Sequence, residues 1–228
     1  TFQQAEQIIC VNDELKQELL KRKVDPQKIH VIRNGVDTDK FAYQSPKATG
    51  KNDKLKFLFL GRFIDRKNII ELIHAFARLE KEKCKLMIAG VGTLETQIKN
   101  LIEEKYPDKD IEFLGYKSGE EVIEAFRASD VFVLPSFYEG LPFTLLEAMS
   151  CGKPAVVGNF ANATMVVNEA QNGFIIPQNT IDSMAETLEK AITYKTELEN
   201  MSVNARRHIE QHFSLQDSLE KTWQVFEK

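Results

Sequence analysis

Six short apolar runs recur at regular intervals, and this alternation limits the folds open to the chain more than any other feature. They are Lys56 to Gly61, Lys85 to Gly90, Ile111 to Gly115, Val131 to Pro135, Pro154 to Gly158 and Gly173 to Pro177. Between the first four lie stretches with helical spacing, around Ile69 to Leu79, Leu94 to Lys105 and Gly119 to Arg127, and a further helix is expected from Leu141 onward. Strands alternating with helices at this spacing imply βαβ units and a parallel sheet covered on both faces. The expected fold is therefore α/β, a Rossmann-like doubly wound sheet of about six strands. Right-handed crossovers follow.

The flanks are of a different kind. The first residues suggest a short strand from Gln7 to Val11, Asn12 as a helix cap, a helix to about Arg22, and a second strand from Ile29 to Ile32 ending in an Asn34-Gly35 turn. Asp37 to Lys54 is polar and turn-rich and reads as a linker. At the other end, Ser183 to Tyr194, Leu198 to His212 and Leu215 to Phe226 read as helices that follow the completed sheet.

Composition narrows the classes of partner. The net charge of -4, without a basic run interleaved with aromatics, argues against nucleic acid, so an anionic ligand has to be held by local cations. No apolar run reaches the length of a membrane span and the first residues show no signal-peptide pattern, so either the protein works in the cytoplasm or its targeting segment is missing. Cys10, Cys84 and Cys151 are far apart and lack a CxxC spacing, so they read as plain buried thiols.

The chemistry concentrates at two strand exits. Glu139 follows the strand Val131 to Pro135, and Glu147 lies eight positions on, inside the expected helix and among Leu145, Leu146, Ala148 and Met149. A glutamate in so apolar a setting needs partners, and ligand hydroxyls would serve. A charged helix entry plus one exposed glutamate is the alternative.

Gly61, at the exit of the first strand, permits close backbone approach, and Arg62, Arg66 and Lys67 follow it. Arg62 and Lys67 could clamp a diphosphate, or Asp65 to Lys67 could be a solvated helix start. Gly90-Val91-Gly92 fails as a dinucleotide fingerprint because Glu95 stands where the third glycine belongs, and it reads as a tight turn. His208 and His212 share a helical face without the metalloprotease order and read as solvated.

Taken together, Gly61-Arg62…Arg66-Lys67-Asn68, Glu139-x7-Glu147, Ile32-Arg33-Asn34-Gly35-Val36-Asp37 and Asn172-Gly173-Phe174 resemble the C-terminal, donor-binding half of retaining GT-B glycosyltransferases, the family 4 or group 1 type. The resemblance runs from about Gln7 to the C-terminus. It implies that 1–44 is the trailing segment of an acceptor-binding domain with its link, and 45–228 the donor-binding domain.

It further implies that Arg62 and Lys67 hold the diphosphate of a UDP-, GDP- or ADP-sugar without a metal. Glu147 meets the ribose hydroxyls, Glu139 the transferred sugar, and Tyr116 the base. Backbone around Gly140, Leu141, Phe143 and Thr144 completes the anion site.

Two departures stand out. Ala161-Asn162-Ala163-Thr164-Met165 replaces the family's Gly-Gly-x-Pro-Glu, and Pro142 takes a place often held by glycine.

The implied product is a polysaccharide, lipopolysaccharide or glycolipid. Its carbohydrate or lipid-linked acceptor is met through the missing N-terminal half, and peripheral association with the inner face of the membrane fits such an acceptor. The expectation is a fragment that binds nucleotide and transfers poorly. A non-catalytic nucleotide-sugar sensor and a sugar-nucleotide epimerase of the same architecture remain as alternatives.

Overall fold

The computed structural model describes residues 2–45 and 53–227. Its first unit is small: β1 (Ile8–Cys10), α1 (Asp13–Lys21) and β2 (Ile29–Val31) form one βαβ crossover in which the two strands pair in parallel. Asn12 caps α1 through its side-chain oxygen, which accepts from the Leu15 N–H at 2.8 Å. Cys10, Leu19, Val24 and Ile29 form the unit's core.

The second unit holds β3 (Leu55–Leu60), α2 (Ile69–Phe76), β4 (Cys84–Ala89), α3 (Glu95–Lys105), β5 (Ile111–Gly115), α4 (Glu120–Ala128) and β6 (Val131–Leu134). It continues through α5 (Phe143–Ser150), β7 (Ala155–Gly158), α6 (Ala163–Val166), β8 (Gly173–Ile176), α7 (Ile181–Thr193), α8 (Leu198–His212) and α9 (Leu215–Phe226). The six strands lie in the order β5-β4-β3-β6-β7-β8, and every pair is parallel. The expected doubly wound sheet is thus observed.

Alternation along β3 shows how the sequence builds two cores at once. Leu55, Phe57 and Phe59 enter one apolar cluster with residues of α2, α3 and α7, while Leu58 and Leu60 enter another with residues of α4, α5 and α8. Both faces of the strand are therefore closed to water, as a parallel sheet requires. The chain order reverses between β3 and β6, and the crevice at the carboxyl ends of such neighbours is where ligands bind in sheets of this kind.

Two expectations are revised. The helix after β6 begins at Phe143 rather than Leu141, because Pro142, with φ -73° and ψ 124°, disfavours a helical Leu141 and itself caps the helix in extended conformation. The stretch read as a linker is docked over its first part. Phe41 is buried in the large core, and Asp37 Oδ1 accepts from the Asp39 and Lys40 N–H groups. The Nη1 of Arg206 donates to the carbonyls of Thr38, Phe41 and Ser150 at 2.9 to 3.0 Å. The turn residues Pro46 and Gly50 lie outside the described residues.

Candidate functional site

At the exit of β3 the backbone makes a single 3-10 turn, Asp65–Lys67, and Asn68 follows in the left-handed region with φ 57°. This turn swings Lys67 inward. Its ammonium lies 2.5 Å from Oε1 of Glu139, and both side chains are buried. Nη1 of Arg66 is 3.4 Å from the other Glu139 oxygen and donates to the Tyr138 carbonyl at 3.1 Å. The Phe137 N–H donates back to the Arg66 carbonyl at 3.0 Å, tying the two strand exits into one rim. Lys67 is therefore not part of a solvated helix start. Arg66, absent from the sequence-derived site, joins it, and the signal for it was its place one residue before Lys67.

Arg62 is exposed, and its guanidinium makes no hydrogen bond or ion pair among the described residues. Gly61 needs no glycine on steric grounds, since an added Cβ meets only ordinary contacts beginning at 3.7 Å. The close approach expected there occurs from the other side. At Gly90, where φ is 141°, a Cβ would strike the Gly61 carbonyl oxygen, and at Gly92 it would strike the Phe63 backbone. The Gly-x-Gly pair thus lets the exit of β4 lie directly against Gly61 to Phe63, which is a packing role rather than only a tight turn.

After Glu139 the chain passes Gly140 and Leu141 and enters α5. The N–H groups of Gly140, Leu141, Phe143 and Thr144 have no protein acceptor among the described residues. The first N–H groups of a helix lack intrahelical partners and carry the positive end of its dipole, so this cluster favours an anion. Glu147, one turn further along, is half-buried and makes no hydrogen bond or ion pair among the described residues. Burial raises its pKa, with a smaller opposing effect from Lys40. Tyr116 leaves β5 with its side chain exposed, two strands from β3, or about 10 Å at the usual strand spacing.

Other candidates are structural. Burial pushes the Cys84 thiol up to about 12 and the Cys151 thiol to about 11, so neither is a reactive thiolate. His208 corrects the expectation of a solvated face: its Nε2 donates to the Met165 carbonyl at 3.0 Å, and its ring lies 4.8 Å from that of His212. Asn172 closes the turn before β8, accepting from the Asn168 N–H at 2.7 Å. Among the described residues no cluster of three or more His, Cys, Asp or Glu is placed to hold a metal, and no helix is long and apolar enough to cross a membrane.

A parallel sheet ordered around a β3/β6 switch point, with cations, paired and unpaired carboxylates and amides without a protein acceptor on one rim, defines a doubly wound α/β domain with a candidate anion site. The family model of glycosyl transferases group 1 matches residues 42–208, and that of glycosyltransferase family 4 matches 1–40. The chain belongs to the group 1 glycosyl transferases.

Among its relatives is the UDP-Gal:alpha-D-GlcNAc-diphosphoundecaprenol alpha-1,3-galactosyltransferase of Escherichia coli, 33% identical over 227 residues, covering 94% of the chain and 58% of the relative. Another is the capsular polysaccharide biosynthesis glycosyltransferase CapM of Staphylococcus aureus, at 27% identity with coverage of 98% and 63%. The chain thus spans less than two thirds of the length of these relatives. Among solved structures, HepE of Anabaena in complex with UDP and glucose superposes with a TM-score of 0.83 at 20% identity, over 98% of this chain and 63% of that one. Sucrose-phosphate synthase of Thermosynechococcus elongatus gives 0.85 at 21%, over 99% and 59%. At these identities the likeness establishes the fold.

Proposed function

We propose that this chain is the donor-binding portion of a glycosyltransferase that moves a sugar from a nucleoside diphosphate to a carbohydrate or lipid-linked acceptor, with retention, in polysaccharide, lipopolysaccharide or glycolipid synthesis. The observation that carries this reading is the convergence at the switch point of Lys67, Arg66 and Glu139 with the unpaired amides that open α5. Arg62 and Lys67 take the diphosphate, with the N–H groups of Leu141, Phe143 and Thr144. Glu147 accepts from the ribose hydroxyls, Glu139 turns toward the transferred sugar, and Tyr116 lies along the base.

As the glycosidic bond breaks, the leaving diphosphate gains charge. Fixed cations and aligned amides stabilise that charge more than they stabilise the bound donor, which lowers the barrier without a metal. The acceptor is met through the rest of the longer protein, at the cytoplasmic face of a membrane when it is lipid-linked. The residues 1–40 that match the other family model reach this rim through Asn12 and Asn34, which donate to the Gly140 and Leu141 carbonyls.

Calorimetry with UDP, GDP and ADP, with and without Mg²⁺, tests this reading. UDP comes first, because one relative is named for UDP-Gal and one structural neighbour holds UDP. Saturable binding that is indifferent to a chelator is expected. At 100 times Kd it should stabilise the fold by about 2.7 kcal/mol. Absence of binding with all three nucleotides, or binding that requires the metal, would sink the assignment.

A further inference from the structure

The strands β1 and β2 run parallel, so their carboxyl ends emerge on one edge of the small unit, and both strands deliver an asparagine from it to the loop between Glu139 and α5. Asn12, which follows β1 by two residues, donates from Nδ2 to the Gly140 carbonyl at 3.0 Å. Asn34, which follows β2 by three, donates from Nδ2 to the Leu141 carbonyl at 2.7 Å. Val11 closes the same contact: a Cβ placed on Gly140 would lie 3.3 Å from its Cγ2. Two successive carbonyls of the loop are thus gripped from a unit more than a hundred positions away in sequence.

The grip fixes what the loop presents on its other side. In a trans peptide the C=O and N–H point in opposite directions, so holding the Gly140 carbonyl on Asn12 turns the Leu141 N–H away from the small unit. The next peptide is held by Asn34, and its nitrogen belongs to Pro142, which has no hydrogen to offer and sets the extended entry into α5. Asn12 is itself immobilised, 1% exposed, with its oxygen committed to the cap of α1.

We infer that Asn12 and Asn34 are positioning residues that aim the Leu141 amide and the start of α5 at the donor diphosphate, so that the β1–β2 unit sets the diphosphate affinity of the large sheet. This rests on the donor-site reading above. The two units are then coupled through side-chain to main-chain hydrogen bonds, and a displacement of the small unit is felt first at the anion site.

The substitutions Asn12→Asp and Asn34→Asp isolate the effect. Aspartate keeps the shape and, at position 12, the oxygen that caps α1, but it loses the donor and faces a carbonyl with a carboxylate. Hydrogen exchange of the ligand-free chain reads the grip: the Leu145 and Leu146 amides, which donate to the Pro142 carbonyl, should exchange faster in either variant, with the sheet strands unchanged.

Titration with UDP and with uridine reads the consequence. Affinity for UDP should fall about tenfold, the worth of a hydrogen bond involving a charged group, while that for uridine stays put. Unchanged exchange at Leu145 and Leu146, or equal losses for UDP and uridine, would overturn the inference. Failure of the unaltered chain to bind any nucleoside diphosphate would instead overturn the donor reading and the affinity claim built on it, and the exchange result would still decide the grip.

Discussion

Lys67 and Glu139 hold each other at 2.5 Å across 72 positions of sequence, both buried, where β3 and β6 leave the sheet. The pair is asymmetric: Glu139 has a second cation in Arg66, whereas Lys67 has no other anionic partner among the described residues. Removing one partner of a buried ion pair costs about 3–5 kcal/mol, because the other charge is stranded. Glu139→Gln should therefore cost about 3 kcal/mol, and Lys67→Met less, since Arg66 stays beside the carboxylate. The double variant should recover part of the loss. Urea unfolding of the four proteins measures the cycle, and strictly additive losses would contradict it.

Glu147 should show the opposite behaviour. Its carboxylate is half-buried without a partner, and burial raises its pKa above the ordinary glutamate value. For an acid whose folded pKa is raised, ionisation costs stability as pH climbs through that pKa, and the cost disappears as pH falls below the unfolded value. Glu147→Gln should thus raise stability at neutral pH, read as a higher Tm, while abolishing most nucleotide affinity. In the unaltered chain ribose hydroxyls need the ionised form, so affinity should fall as pH drops through the raised pKa, and Glu147→Gln should lose that dependence. A variant that is less stable, or that binds as before, would show that Glu147 does not wait for a ligand.

The sheet and the two strand exits were legible because they rest on local pattern. Alternating apolar residues fix which face each strand side chain takes, and Glu139, Lys67 and Arg62 are chemically conspicuous at strand ends. What could not be read was anything set by distant contact. Nothing in Asp65 to Asn68 foretells that Lys67 turns inward, because the reason is Glu139, 72 positions away.

Asn12 was legible as a cap of α1, but its second bond, to Gly140, spans 128 positions. Likewise Phe41 reads as one apolar residue in a polar stretch, and only Arg206, gathering three carbonyls, shows that the stretch is docked. The start of α5 was misplaced for a local reason, the restriction that Pro142 puts on Leu141.

Gly90 gives a sharper steric test than any other glycine near the site. Its φ of 141° is hard for a side chain to adopt, and a Cβ there would strike the Gly61 carbonyl. Gly90→Ala should cost more than about 3 kcal/mol, combining backbone strain with a backbone collision. Gly119→Ala is the control: φ is 53° but a Cβ meets nothing within 4 Å, so strain alone, about 1 kcal/mol, is expected. The residual Gly90→Ala fold should also bind UDP more weakly, because relief of the collision moves Gly61 and with it Arg62. Equal costs for the two glycines by thermal unfolding would rule out the collision.

Arg62 and Arg66 separate ligand binding from folding within one loop. Arg62 is exposed and has no hydrogen bond or ion pair among the described residues, so Arg62→Ala should change stability by no more than about 0.5 kcal/mol. If its guanidinium meets the diphosphate as charge builds in the transition state, the same change should cut turnover in the full-length enzyme by about 10²-fold, as loss of one oxyanion donor does. Arg66→Ala removes a contact to Glu139 and one to the Tyr138 carbonyl. It should lower stability measurably, because Glu139 keeps only Lys67, and should affect turnover less. Unfolding curves beside kcat and KM for both variants decide the matter: a stability loss at Arg62 or its absence at Arg66 would reverse the roles assigned to the two arginines.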